Sequence, residues 1–187
     1  PPWGGTQALF GTNPIAFASP RDSAVPLVID MSLSKVARGK VMVANQLNEK
    51  IPEDWAIDKD GKPTTDAKKA LEGAMLPIGD AKGSALALMV EVLAAGLTGS
   101  NFGFEASSFL NAEGDAPGVG QLIIAIDPSF FSGESFGERT ETLVGAVLEQ
   151  PGTRLPGDKR IEKRKVREKS ETITISKDLY EKIELLI

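Results

Sequence analysis

Residues 83–98, GSALALMVEVLAAGLT, constrain the fold of this chain more than any other stretch. Alanine and leucine dominate, no proline intervenes, and sixteen residues in helix would extend about 24 Å. Almost every face is apolar, with only Glu91 and the terminal polar groups interrupting. A helix with so little polar surface has to be covered on most sides. The stretch therefore predicts a helix buried inside a domain or against another subunit.

Shorter signals fill in the rest. NPIAFAS (13–19) and PLVIDMS (26–32) read as strands joined by the turn-rich PRDSAV, and they suggest an antiparallel pair. Asn13 precedes a proline, which predicts extended geometry there. From Ser34, a normal N-cap residue, to Asn48 a looser helix follows, carrying Val36, Val41, Val43, Ala44 and Leu47. A loop with the turn dipeptide Asp60-Gly61 leads to a short helix capped by Asp66. GQLIIAID (120–127) reads as a core strand. Residues 134–150 read as an amphipathic helix with Leu143, Val147 and Leu148 inward. A basic run, a short strand TITI (172–175) and a closing helix KDLYEKIELLI capped by Ser176 complete the chain. This order is α/β or α+β, and the first strand pair weighs against a purely parallel sheet.

Composition narrows the function. The net charge is −5 with a pI near 4.9, so the chain as a whole has no basic footprint for nucleic acid. No apolar run approaches the roughly 20 residues of a membrane helix. The absence of cysteine fits a reducing compartment. The absence of histidine removes Ser-His-Asp and Cys-His pairs, histidine metal ligands and a histidine general acid, and no metal site is expected. The opening Pro1-Pro2-Trp3-Gly4-Gly5 has neither an initiator methionine nor a signal-peptide pattern, which suggests a piece of a longer protein.

Four places could carry chemistry. G-x-G-x-x-G and the Walker pattern are both missing, but GDAKGSA (79–85) puts Lys82 between glycines where the apolar helix begins. That suits a phosphate at a helix start, or equally a tight turn with Asp80 as N-cap and Lys82 in solvent. Asp30 ends an apolar strand and must be hydrogen-bonded or exposed in a cleft; Ser32 and Ser34 follow it, either as caps or as ligand hydroxyls. GTNPIAFA (11–18) is a structural turn unless the polar groups of Thr12 and Asn13 face a ligand. Seven Lys or Arg between Lys159 and Lys169 read first as a solvated face, and otherwise as a cofactor-phosphate site.

Taken in order, WGGTQALFGTNPIAFASP, VIDMSLSKVARGK, IPEDWAIDKDGKPTTD, LPIGDAKGSALALMVEVLAAGLTG, GQLIIAID and LPGDKR resemble the malate/L-lactate dehydrogenase family over residues 1–175. This family includes ureidoglycolate, sulfolactate, diketogulonate and piperideine-2-carboxylate reductases. The resemblance implies a non-Rossmann nicotinamide-binding domain built on a mixed, largely antiparallel sheet with flanking helices. It implies a cytoplasmic homodimer that uses NAD or NADP to interconvert 2-oxo and 2-hydroxy acids. The alternatives are reduction of cyclic imino acids on the same fold, or a nucleotide-binding fragment without activity of its own. By the same likeness, residues 1–155 form the cofactor-binding domain, and 156–187 form a strand and helix packed on an N-terminal part absent here. Asp30 matches the carboxylate partner of the catalytic histidine. Asp30, Met31, Ser32, Ser34, Ala81, Lys82, Gly157 and Asp158 match cofactor-contacting positions, and Thr12 and Asn13 match substrate-contacting ones. The family's histidine and its substrate-carboxylate arginine lie in the segment before PPWGG. Asp80 and Ala81 depart from the glycine and larger residue that many relatives carry.

Overall fold

The computed structural model describes residues 1–22, 25–109, 113–170 and 172–186. The two β-branched runs near the start become strands β1 (Ile15–Ser19) and β2 (Leu27–Met31), paired in a two-stranded sheet. Part of the turn expected over residues 20–25 lies outside the described residues, namely Ser23 and Ala24. A second small sheet pairs β3 (Ala56–Ile57) antiparallel with β4 (Ala74–Met75). The expected α/β composition holds, but the described strands form two separate pairs rather than one larger sheet.

Among the described residues, seven α-helices follow from local signals of differing strength: α1 (Arg38–Gln46), α2 (Ala67–Glu72), α3 (Asp80–Val90), α4 (Ser129–Ser132), α5 (Phe136–Leu148), α6 (Asp158–Glu168) and α7 (Lys177–Glu184). Two of the expected caps are present. Asp66 accepts hydrogen bonds from the N–H groups of Lys68 and Lys69, and Ser176 accepts one from Leu179. Each satisfies N–H groups that the helix leaves unpaired, and removing such a cap typically costs about 1 kcal/mol. The closing helix was expected to run to Ile187, which lies outside the described residues.

Two compact units divide the chain: Pro1–Phe17 with Asp30–Asp127, and Ala18–Ile29 with Pro128–Ile187. Residues 128–155 therefore group with 156–187. In the first unit the core gathers Val36, Val41, Ala44, Ile51, Ala56, Ala67 and Ala70, with Trp55, Leu71 and Met75 packed against it. Its small side chains let α1 and α2 lie close together, and Arg38 donates to the carbonyl of Leu71 at 2.8 Å. In the second unit Arg21 forks onto Glu141 with two 2.8 Å hydrogen bonds, and Val144 and Leu155 are buried.

Several expectations need correction. Ser34 does not cap α1; the N-cap is Ala37, and Ser34 instead bridges Pro77. Asp80 is the first residue of α3 rather than its cap, which is Gly79 at φ 61°. Asn13 is not extended but sits at φ 43°, held there by hydrogen bonds from its own amide. The apolar helix is α3 continued by a π-helix, Glu91–Gly96, and only its ridge of Gly83, Ser84, Ala87, Glu91 and Ala95 is buried. Leu88 and Val92 are more than half exposed, so the described residues do not cover the helix on these faces.

Residues 120–127 form no strand, and Ile123 is 85% exposed; a strand needs a ladder partner, and none among the described residues supplies one. TITI likewise forms no strand, with Ile173 exposed. In α5 the buried residue is Val144, one position from the expected Leu143.

Candidate active site

The first unit brings three of the four candidate stretches together through backbone bonds. Leu33 N–H donates to the Thr12 carbonyl at 2.8 Å. Lys35 N–H donates to Leu76, and Ile78 N–H donates to Leu33, at 2.7 and 2.8 Å. The chain after Asp30 is thus clamped between the Thr12 loop and the residues leading into α3. The hydroxyls of Ser32 and Ser34 lie 3.0 Å apart, half-buried, on the same short segment. Asp30 and Met31, at the end of β2, are exposed.

The start of α3 has unusual geometry. Gly79 and Asp80 both have positive φ, 61° and 55°, which folds the chain sharply into the helix. Ala81 and Lys82 occupy the exposed first turn, where Lys82 N–H donates to the Gly79 carbonyl at 3.2 Å. Gly83 lies against Ile78 so closely that a Cβ there would fall 1.5 Å from the Ile78 carbonyl oxygen. That contact fixes where the helix start sits relative to Ser34–Pro77. Lys35 pairs with Asp54 at 3.0 Å. The hydrogen bond and charge of Asp54 hold its ammonium above the ordinary lysine range, and Asp80 adds a weaker attraction.

Thr12 is exposed, while Asn13 is buried. The Asn13 amide donates to the Ala87 carbonyl and to Glu91 Oε1, both at 2.9 Å, so its NH2 faces α3. Glu91 was not singled out as functional from sequence. The available signal was its position as the lone charge within sixteen largely apolar residues.

Gly157 and Asp158 belong to the second unit. Gly157 caps α6 at φ 90°, and Asp158 Oδ2 accepts from Leu155 N–H at 2.7 Å, a tight turn into the helix. Along α6 an open groove is lined by Lys159, Arg160, Lys163, Arg164, Arg167 and Glu168. Among the described residues no cluster of three or more acidic residues could hold a metal ion, and no helix is long and apolar enough to cross a membrane.

These donors can be tested against a nicotinamide dinucleotide. Two adjacent hydroxyls suit a ribose or a carboxamide, and an exposed helix start beside a lysine suits a pyrophosphate. The Asp80 carboxylate opposes an anion at that spot, and Lys35 draws on it electrostatically. The residues fit the group.

Comparison with known proteins decides the family. The family model for malate/L-lactate dehydrogenases matches residues 1–184. The chain belongs to the malate/L-lactate dehydrogenase family. It is 56% identical over 182 residues to a (2R)-3-sulfolactate dehydrogenase (NADP(+)) of Chromohalobacter salexigens, covering 97% of this chain and 54% of that protein. It is 44% identical over 186 residues to a Δ1-pyrroline-2-carboxylate/Δ1-piperideine-2-carboxylate reductase of Pseudomonas putida, covering 99% and 54% respectively.

Among solved structures of the family, the Δ1-piperideine-2-carboxylate reductase of Pseudomonas syringae superposes with a TM-score of 0.86 at 42% identity, covering 100% of this chain and 56% of that one. A sulfolactate dehydrogenase of Methanocaldococcus jannaschii gives 0.81 at 38% identity, covering 97% and 53%. The chain spans about half the length of the curated relatives it matches.

Proposed function

We propose that the protein to which this chain belongs is an NAD- or NADP-dependent oxidoreductase interconverting 2-oxo and 2-hydroxy acids, with these residues forming much of its cofactor site. The observation that supports this reading is the backbone circuit Thr12–Leu33–Ser34–Pro77–Ile78, which ties the segment carrying the two hydroxyls to the residues leading into α3, whose first turn carries Lys82. When bound, the nicotinamide supplies a hydride to the substrate C2.

The chain's own residues bind and orient. Ser32 and Ser34 hydrogen-bond the ribose or carboxamide side of the cofactor, and the Met31 backbone lies alongside. Ala81 N–H and the Lys82 ammonium hold phosphate. Gly157 and Asp158, in the second unit, are carried as cofactor-contacting positions on the family match alone. Thr12 presents its hydroxyl to the substrate, with Asn13 fixing the turn. Asp30, exposed at the end of β2, orients a general acid contributed by the rest of the protein and supports its positive charge. General-acid help of this kind is worth about 10²- to 10⁴-fold in rate. In the cell we place the protein in the cytoplasm as a homodimer, whose contact would cover the exposed Leu88 and Val92.

A second reading, reduction of a cyclic imino acid, is favoured by the pyrroline- and piperideine-carboxylate reductases among the relatives. One experiment tests both readings. The complete protein is mixed with NADH or NADPH and then with sulfopyruvate, oxaloacetate, pyruvate or Δ1-piperideine-2-carboxylate, and loss of the reduced cofactor's absorbance is followed. Turnover of an open-chain 2-oxo acid supports the first reading, and preference for the cyclic imine supports the second. Turnover of none of them refutes both.

A further inference from the structure

Glu91 is a buried carboxylate, only 8% exposed, in a helix whose other buried positions are Gly, Ser and Ala. Burying an ionised group is costly unless hydrogen bonds replace its water. Here three donors on two segments replace it. Oε1 accepts from Asn13 Nδ2 at 2.9 Å and, at the long limit of 3.4 Å, from Gly11 N–H. Oε2 accepts from Gly103 N–H at 3.1 Å. It has no ion-pair partner among the described residues, so backbone and amide N–H groups hold its two oxygens.

The neighbouring backbone is shaped to this arrangement. A Cβ on Gly103 would lie 2.2 Å from Gly11 N and 2.9 Å from Glu91 Oε1, so only glycine lets these strands of chain approach. Glu91 also opens the π-helix, whose five-residue spacing shows in Leu97 N–H donating to Val92 and Ser100 N–H donating to Ala95. Such widened turns replace ordinary helix where a side chain must be aimed, and they recur at functional sites.

The bonds bracket one residue. Glu91 holds Gly11 and Asn13, the residues on either side of Thr12, while the Thr12 carbonyl accepts from Leu33 N–H. We infer that Glu91 is a positioning residue: it sets the Gly11–Asn13 turn against α3 and thereby the direction in which Thr12 meets the substrate. The inference rests on the proposed reading of Thr12 and Asn13 as the substrate segment. A carboxylate is needed because only acceptors on both oxygens can tie three N–H donors at once.

The test uses the complete protein with Glu91→Gln and Glu91→Asp. Gln keeps the reach but turns an NH2 toward an N–H, while Asp keeps the charge but draws it back by one methylene. A positioning role predicts that Glu91→Gln raises the substrate KM tenfold or more, while the cofactor Kd, from fluorescence titration, stays within about twofold. Glu91→Asp should raise KM less. A structural role instead lowers Tm and the active fraction, leaving the KM of the remaining active protein at the wild-type value, and that result overturns the inference. If neither variant folds, Glu91 is structural and the inference is overturned as well. If wild type itself turns over none of the acids, the functional reading fails first. If wild type turns over and Glu91→Gln keeps its KM, only the present inference fails.

Discussion

Gly83→Ala sets helix propensity against packing, and the structure says packing wins. In an open helix interior, alanine in place of glycine stabilises by about 1 kcal/mol. At position 83 the new methyl would stand 1.5 Å from the Ile78 carbonyl oxygen and 2.7 Å from its carbon. Both are backbone atoms, so no side chain can swing away, and α3 must retreat by about 1.5 Å to reach even the closest tolerated contact. The retreat strains the 2.8 Å bond from Trp3 N–H to Ser84 Oγ and the 2.9 Å bond from Asn13 to Ala87. Overpacking of about 3 kcal/mol, with about 1 kcal/mol for each strained bond and about 1 kcal/mol returned by propensity, leaves roughly 4 kcal/mol of destabilisation. With a urea dependence of about 2 kcal/mol per molar, the unfolding midpoint should fall by about 2 M. Gly145→Ala in α5, where a Cβ meets nothing within 4 Å, is the control and should raise the midpoint by about 0.5 M. Far-UV circular dichroism against urea reads both. A Gly83→Ala midpoint within about 0.5 M of wild type would show that α3 does not rest on Ile78 as described.

Three further outcomes are expected. Lys82→Ala should weaken cofactor binding by about 1.5–3 kcal/mol, roughly ten- to over a hundredfold, with little change in the cofactor-free Tm; unchanged affinity by calorimetry would leave Lys82 a solvent residue. Asp30→Asn should lower kcat about a hundredfold or more while cofactor Kd changes far less, and near-normal turnover in steady-state kinetics would move the general acid's partner to another carboxylate. Arg21 holds the Glu141 carboxyl below its ordinary value of 4.5, chiefly through their hydrogen bond. The unfolded chain therefore binds the proton more readily, and the stabilisation is present above about pH 4.5 and lost as pH falls through the lowered folded value. Glu141→Gln should accordingly lower Tm near neutral pH, and the gap from wild type should narrow on acidification below about pH 4.5; a gap independent of pH argues against the ion pair.

Local physics made part of this fold legible. Asp66 and Ser176 cap the helices their positions announced, because a cap depends only on the next three residues. The strands 15–19 and 27–31 followed from short β-branched runs. What needed tertiary contact was misread. Ser34 looks like a cap until Pro77 arrives to pair with it. Asn13 should be extended before a proline, yet two acceptors, one on α3 and one on the π-helix that continues it, hold it at positive φ. Val144 rather than Leu143 turns inward, since a periodic pattern fixes a helix face only to within one residue. The candidate residues around Asp30, Ser32 and Lys82 stood out as polar groups at strand and helix ends. Glu91 did not, because its three donors lie about 80 residues before it and 12 after it.

The exposed run Leu122–Ile126 has a consequence for the chain as a material. It is apolar, uncharged and free of proline, and Ile123, Ile124 and Ile126 stand more than two-thirds exposed, outside any helix or strand. Five such residues approach the length at which identical segments stack into cross-β ladders, each copy templating the next. Asp127 and Pro128, immediately after the run, act as gatekeepers: a charge repels its stacked image, and a proline withholds the N–H that a growing ladder needs. They guard only the C-terminal side. On the other side stand Gly120 and Gln121, and amide side chains of the Gln121 kind reinforce stacked ladders rather than break them.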